Sequence, residues 1–136
     1  MKRIKGFSLL ELLIVVAILG ILGSVTAVSL RGYVKTLRTS ESARELANFI
    51  SQARNRAIKQ STAMRVQLTG GAVKLYDAGN SLIRETQLPN HARVSPTGTI
   101  RFTGRGLPDH QYVFTVIVGA KARRVVLLPT GKVILP

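Results

Sequence analysis

From Phe7 to Leu30 the chain is almost unbroken in its apolarity: 17 of these 24 positions are hydrophobic and Glu11 carries the single charge. A helix of that length spans about 36 Å, enough to cross a bilayer core of about 30 Å with some tilt. Over Ser40–Ser61 the pattern changes to a helical period. Leu46, Phe49, Ile50, Ala53 and Ala57 gather on one side, with Arg44, Asn48, Gln52, Asn55 and Lys59 opposite and Arg54 and Arg56 on the flanks. The spacing predicts that the helix continues as an amphipathic segment over 40–61 laid on a sheet, with Thr39 or Ser40 placed to cap a new turn at a bend near there.

After Gln60 the period shortens to two. Ala63–Thr69 alternates with Met64, Val66 and Leu68 on one face, and Gly70-Gly71 turns the chain into Ala72–Tyr76. Asp77–Asn80 is the next turn, leading to Leu82–Leu88, and Pro89 and Pro96 bound an irregular stretch. Thr99–Thr103 alternates again, with Ile100 and Phe102 inward and Arg101 outward. Gly104–Pro108 is a loop, and Tyr112–Val118 reads as a central strand. Arg123–Leu128 and Lys132–Leu135 flank Pro129-Thr130-Gly131 as a final hairpin. One long helix followed by six or seven strands predicts an α+β domain with an antiparallel sheet.

Ahead of the apolar block, Lys2, Arg3 and Lys5 favour a cytoplasmic N-terminus and an exported remainder, a bias that Arg31, Lys35 and Arg38 weaken from the other side. A secretory signal with cleavage near Val25-Thr26-Ala27, a plain membrane anchor and a more specialised segment all fit this outline. Glu11 separates them. A carboxylate within hydrocarbon costs roughly 2.5–3.5 kcal/mol and ordinarily has a partner and a role. Gly20 and Gly23 read as ordinary small residues of a membrane helix.

Gly6-Phe7-Ser8-Leu9-Leu10-Glu11-Leu12-Leu13 resembles the class III signal of type IV prepilins and pseudopilins: a short basic leader ending in Gly, an aromatic next, then Glu as the fifth residue of an apolar helix. The resemblance implies cleavage by prepilin peptidase between Gly6 and Phe7, N-methylation of Phe7, and neutralisation of a neighbouring subunit's terminal amine by Glu11 during assembly. Its domains would be a leader over 1–6, a transmembrane and filament-core helix over 7–30 and an exported globular domain over 31–136, with its strands over 63–135. The whole chain is similar to the GspH/FimT group of minor pilins and pseudopilins. Beyond the leader the likeness rests on Leu46-Ala47, Ala53-Arg54 and Ala57-Ile58, on Ile100–Gly106, and on Arg123–Leu127 with Gly131-Lys132-Val133. It implies a single-pass inner-membrane subunit that assembles with other pilins or pseudopilins into a pilus or pseudopilus.

Composition narrows the chemistry. The chain has no Cys, which excludes disulfides, thiolate metal sites and a cysteine nucleophile. Gly131-Lys132 is followed by Val133 and lacks the first glycine of a phosphate loop, and Gly104 and Gly106 lack the third glycine of a dinucleotide fingerprint. His91 and His110 have no ligand-spaced partners, and Asp109-His110 reads as a solvated turn. No enzyme, metal or cofactor is expected.

Charge remains. Without the leader, 17 basic residues stand against six acidic, a net of +11, and 12 of the 17 are Arg, the side chain that grips phosphate bidentately. Scattered charge for solubility, attraction to anionic lipid and a phosphate-binding face all account for it. Arg101, Arg105 and Lys121 form one candidate cluster and Arg123, Arg124 and Lys132 another, a single patch if strands 99–103 and 123–128 are neighbours. The helix face with Arg44, Arg54, Arg56 and Lys59 is a third. Sparse aromatics favour sequence-independent contact with the double-stranded DNA backbone over base stacking. The expected function is therefore DNA capture for natural transformation. The alternatives are a minor pseudopilin of type II secretion and a ligand-free subunit that primes assembly.

Overall fold

The computed structural model describes residues 8–136, with the side chains of 23–31 excepted. The leader, Gly6 and Phe7 therefore lie outside the described residues. The chain divides into two units, Met1–Val34 and Lys35–Pro136.

Helix α1 runs from Leu9 to Gln60. Its start is fixed by a reciprocal pair: the Ser8 N–H donates to Glu11 Oε2 at 3.0 Å and the Glu11 N–H donates to Ser8 Oγ at 3.4 Å. This is a capping box, which satisfies two of the donors that a helix leaves unpaired at its first turn. Every large apolar side chain from Leu9 to Leu22 is exposed. Among the described residues no helix is long and apolar enough to cross a membrane. The expected span 7–30 includes Phe7 and the side chains of 23–30, which lie outside the described residues.

Within the second unit the helix shows no new cap at residue 39 or 40. Thr39 Oγ1 donates back to Lys35 O at 2.8 Å and Ser42 Oγ to Arg38 O at 2.9 Å, so both hydroxyls serve the running helix instead of starting another. The expected cap of a new turn at Thr39 or Ser40 is thereby corrected, and the expected continuation of the helix is what the chain shows. The apolar stripe is as spaced: Leu46, Phe49, Ile50, Ala53 and Ala57 are buried, joined by Ala43.

Eight strands follow: β1 (Met64–Thr69), β2 (Ala72–Tyr76), β3 (Leu82–Gln87), β4 (Arg93–Ser95), β5 (Gly98–Phe102), β6 (Tyr112–Val118), β7 (Lys121–Leu127) and β8 (Val133–Ile134). They form two four-stranded antiparallel sheets, ordered β3-β2-β1-β5 and β4-β6-β7-β8. The α+β antiparallel class is as expected, with two sheets in place of one, and the strands differ from the expected six or seven in two respects. β4 is three residues long, too short to show alternation, and exists because Arg93, Val94 and Ser95 pair with Ile117, Val116 and Thr115 of β6. β7 begins two residues early, because Gly119 at φ +59° turns the chain tightly and sets Lys121 against Val118.

One core joins these elements. Met64, Val66 and Leu68 of β1, Ile100 and Phe102 of β5, Phe114 and Val116 of β6, and Val125 and Leu127 of β7 all belong to the cluster that holds the helix stripe. The segment between β3 and β4 is tied to the helix by polar contacts. Ser42 Oγ lies 3.0 Å from Pro89 O, and Asn90 Nδ2 donates to Glu41 Oε2 at 3.0 Å.

Candidate functional site

Strand alternation decides where the cations point. In β1 the inward residues are Met64, Val66 and Leu68, so Arg65 and Gln67 face outward, and in β5 Arg101 does the same. Register sets Arg65 directly opposite Arg101 and also opposite Tyr76 of β2. The Arg65 guanidinium lies 5.9 Å from the centre of the Tyr76 ring, and its Nη2 donates to Asn80 Oδ1. Arg65, Arg101 and Asn80, with Ala63, Met64, Ala78 and Phe102, line a shallow hollow of about 450 Å³. Two like charges opposed across a strand pair are unfavourable by themselves. An anion set between them reverses the sign of that term.

The cations singled out in the sequence do not form one patch. Arg101 belongs to the first sheet, while Lys121, Arg123 and Arg124 belong to β7 of the second. Arg123 and Arg124 also divide, because neighbours on a strand face opposite ways. Arg124 pairs with Thr115 on the outer face and is exposed, whereas Arg123 pairs with buried Val116 and donates from Nη1 to Ser40 Oγ on the helix at 2.6 Å. Arg105 is exposed on its loop, beside a hollow lined by Ser61, Thr103, Gly104 and Leu107. Lys121 and Lys132 are exposed at opposite ends of β7, Lys132 lying in the turn to β8. Arg65 and Arg93 escaped the sequence reading. For Arg65 the signal was present, since alternation through Met64, Val66 and Leu68 already turns it outward. For Arg93 it was not, since β4 has no readable period.

The helix cations divide as well. Arg54 is occupied by structure: its Nε donates to Gly106 O at 3.0 Å and its Nη2 reaches Thr130 O at 3.5 Å. Arg44, Arg56 and Lys59 are exposed. Across Lys35–Pro136, Lys74 with Glu85, at 3.4 Å, is the one ion pair of a Lys or Arg among the described residues.

The other titratable cluster holds the two sheets together. The Tyr112 hydroxyl lies 2.6 Å from Asp109 Oδ1 and 3.0 Å from Thr99 O of β5, and His110 Nδ1 lies 3.3 Å from the same carboxylate oxygen. The His110 and Tyr112 rings lie against each other, tilted by 32°, with centres 4.0 Å apart. Burial pushes the Asp109 carboxyl up, but the Tyr112 hydroxyl, the adjacent His110 and backbone N–H groups outweigh it and hold the carboxyl below its ordinary value. Burial, then the bond to Asp109 and its charge, hold the Tyr112 phenol well above its ordinary value, with Arg101 opposing. Among the described residues no three His, Asp or Glu side chains come together as a metal site.

A family model described as Type II transport protein GspH matches residues 42–131, and one for the prokaryotic N-terminal methylation motif matches residues 1–27. The chain is similar to the type IV minor pilin FimU of Pseudomonas aeruginosa in two crystal forms. In one, the TM-score is 0.64 at 18% identity, over 76% of this chain and 92% of that one. In the other it is 0.60 at 19% identity, over 71% and 91%. No curated protein matches the sequence.

Proposed function

The chain belongs to the GspH family and is a subunit of the minor pilin or pseudopilin type, and from that premise we propose that it is a minor type IV pilin that captures extracellular double-stranded DNA for natural transformation. The subunit is held in the inner membrane by residues 7–30, cleaved between Gly6 and Phe7, methylated at Phe7 and assembled through Glu11. Its task is to bind, with no reaction of its own, and pilus retraction supplies the work.

The observation that carries the DNA reading is the uncompensated charge of the outer sheet faces, above all Arg65 opposite Arg101 with no acid between them. On the outer face of the second sheet Arg93 and Arg124 are exposed, set among Ser95 and Thr115. Guanidinium groups on flat sheet faces, flanked by hydroxyls and amides, suit phosphate oxygens and carry no pattern that would read base edges. Binding is then driven by counterion release. Four to six phosphate contacts give a log–log salt slope of about −4 to −5.

The test is a salt titration of the full chain, in lipid nanodiscs, against random-sequence duplex. Arg65→Glu/Arg101→Glu is expected to flatten the slope by about two units, and Arg93→Glu/Arg124→Glu to do so if the second sheet shares the contact. No binding at low salt overturns the reading. The matched family's own description favours a second one, a minor pseudopilin of type II secretion, in which these faces meet neighbouring subunits. Under that reading both double variants leave DNA unaffected and impair secretion.

A further inference from the structure

A strand at the edge of a sheet offers its outward N–H and C=O groups to whatever chain lies alongside. The two sheets have four such edges, β3 and β5 in the first and β4 and β8 in the second. Three of them are closed. Along β5 the Asp109 N–H donates to Arg101 O at 3.2 Å and the Tyr112 hydroxyl lies 3.0 Å from Thr99 O. Along β4 the Val94 N–H donates to Gly70 O at 2.8 Å, and β8 is two residues long. β3 keeps six residues, Leu82–Gln87, with no proline among them. Its phase is fixed by the Leu88 N–H, which donates to Gly71 O at 2.9 Å. From there the antiparallel ladder turns Thr86 toward Val73 of β2 and directs the N–H and C=O of Glu85 and Gln87 away from it. Both residues are exposed, and among the described residues no hydrogen bond meets these groups from the open side.

We propose that β3 takes on an added antiparallel strand from a different protein chain, one that turns basic side chains to the outer face and acidic ones toward the helix. DNA capture rests on Arg65 and Arg101, and strand addition uses neither. The backbone selects the class of partner. A row of alternating donors and acceptors at strand spacing is matched by an extended polypeptide, and by neither a duplex nor a lipid surface. The side chains select within that class. On the outer face Glu85 is paired with Lys74 at 3.4 Å, so a cation on the far side of Glu85 extends a ladder of alternating sign. On the inner face Arg84 stands opposite buried Leu75, and its Nη1 donates to Gln52 Oε1 at 2.7 Å. It lines one hollow with Arg56 and Lys59 and with no acidic side chain, so an acid belongs there. A second copy of β3 is a poor match. Antiparallel pairs centred on residue 84 or 85 set Arg84 against Arg84 or Glu85 against Glu85. The two units, each with 16 basic residues against five acidic in Lys35–Pro136, also repel.

The test uses the full chain in lipid nanodiscs and labelled peptides of six residues, the length of β3, read by fluorescence anisotropy. An alternating Glu-Lys peptide has no net charge, and it is expected to bind about tenfold more tightly than a peptide of three Glu followed by three Lys. In the added strand the residues opposite Glu85 and Gln87 are the Lys residues, whose amides face β3. N-methylation of the Lys amides is therefore expected to abolish binding, and N-methylation of the Glu amides to leave it within about twofold. Gln87→Pro removes one outward N–H, a change that an edge strand tolerates, and is expected to abolish binding while circular dichroism stays unchanged. In the unaltered chain, hydrogen exchange at the Glu85 and Gln87 amides is expected to slow about tenfold or more when the peptide is bound. No binding of the alternating peptide, equal binding of the two peptides, indifference to which amides are methylated, unchanged exchange at Glu85 and Gln87, or displacement of the peptide by duplex DNA would overturn the proposal.

Discussion

Arg54 shows how much one side chain can organise here. Its Nε and Nη2 reach carbonyls in two loops, those of Gly106 and Thr130. Both loops come close enough to require glycine. Gly106 has φ +73°, and a Cβ there would lie 2.5 Å from Ile58 Cγ1; Gly131 has φ +80°, and a Cβ there would collide with Arg54 Nε. Arg54→Ala is expected to cost about 1–3 kcal/mol, because it strands a carbonyl and removes the packing stem. Gly106→Ala and Gly131→Ala should each lose more than about 1 kcal/mol, since neither the angle nor the space admits a methyl. Urea melts of the three variants and their pairs check this, with pairs falling short of the sum if the site is one unit. Asp109 gives the pH dependence. Its folded carboxyl titrates below the unfolded value of about 3.9, so its contribution is present above that pH and drains away as pH falls through the folded value. Tyr112 is the reverse case: raised above the unfolded value of about 10, it contributes fully below that pH and loses the contribution as pH rises through the folded value. Tyr112→Phe removes a hydrogen bond that holds Asp109 down. The Asp109 carboxyl resonance should therefore titrate at higher pH, and acid unfolding should begin earlier.

Among the elements, β7 offers the sharpest comparison. Arg123 and Arg124 are adjacent in sequence and opposite in function, one bonded to Ser40 on the helix and one exposed. Arg123→Glu is expected to destabilise the fold by about 1–3 kcal/mol, seen as a lower urea midpoint, while Arg124→Glu leaves the melt unchanged. Periodicity made most of this layer readable. The stripe from Leu46 to Ala57 and the inward faces of β1 and β5 were legible from their periods, because a buried face must be apolar. Pairing was not readable, since a period of two says which side of a strand is buried and nothing of the strand beside it. That is why one expected sheet became two, and why Arg101 and Arg124 parted. A hydroxyl misled at the helix: Thr39 has the chemistry of a cap, but the i−4 carbonyl is a nearer acceptor when the helix continues.

At the scale of the whole molecule, charge is the dominant long-range term. With 16 basic residues against five acidic in Lys35–Pro136, the unit repels itself at low salt. Its thermal midpoint should rise between about 0.01 M and 0.15 M salt, as the screening length falls from about 30 to about 8 Å, and calorimetry across that range checks it. A midpoint independent of salt would mean the cations are too dispersed to act together. The excess itself was legible from composition alone, as was the N-terminal signal from a few residues around Gly6 and Glu11. The arrangement of the cations was not, because it depends on register between strands far apart in the chain. The contact of Arg54 with two loops has a historical consequence too. Positions 54, 106 and 131 share one small volume, so descendants of this sequence cannot alter them one at a time. A lineage that lengthens the last hairpin or gives up either glycine must surrender the arginine in the same step, and the three positions are inherited as a set.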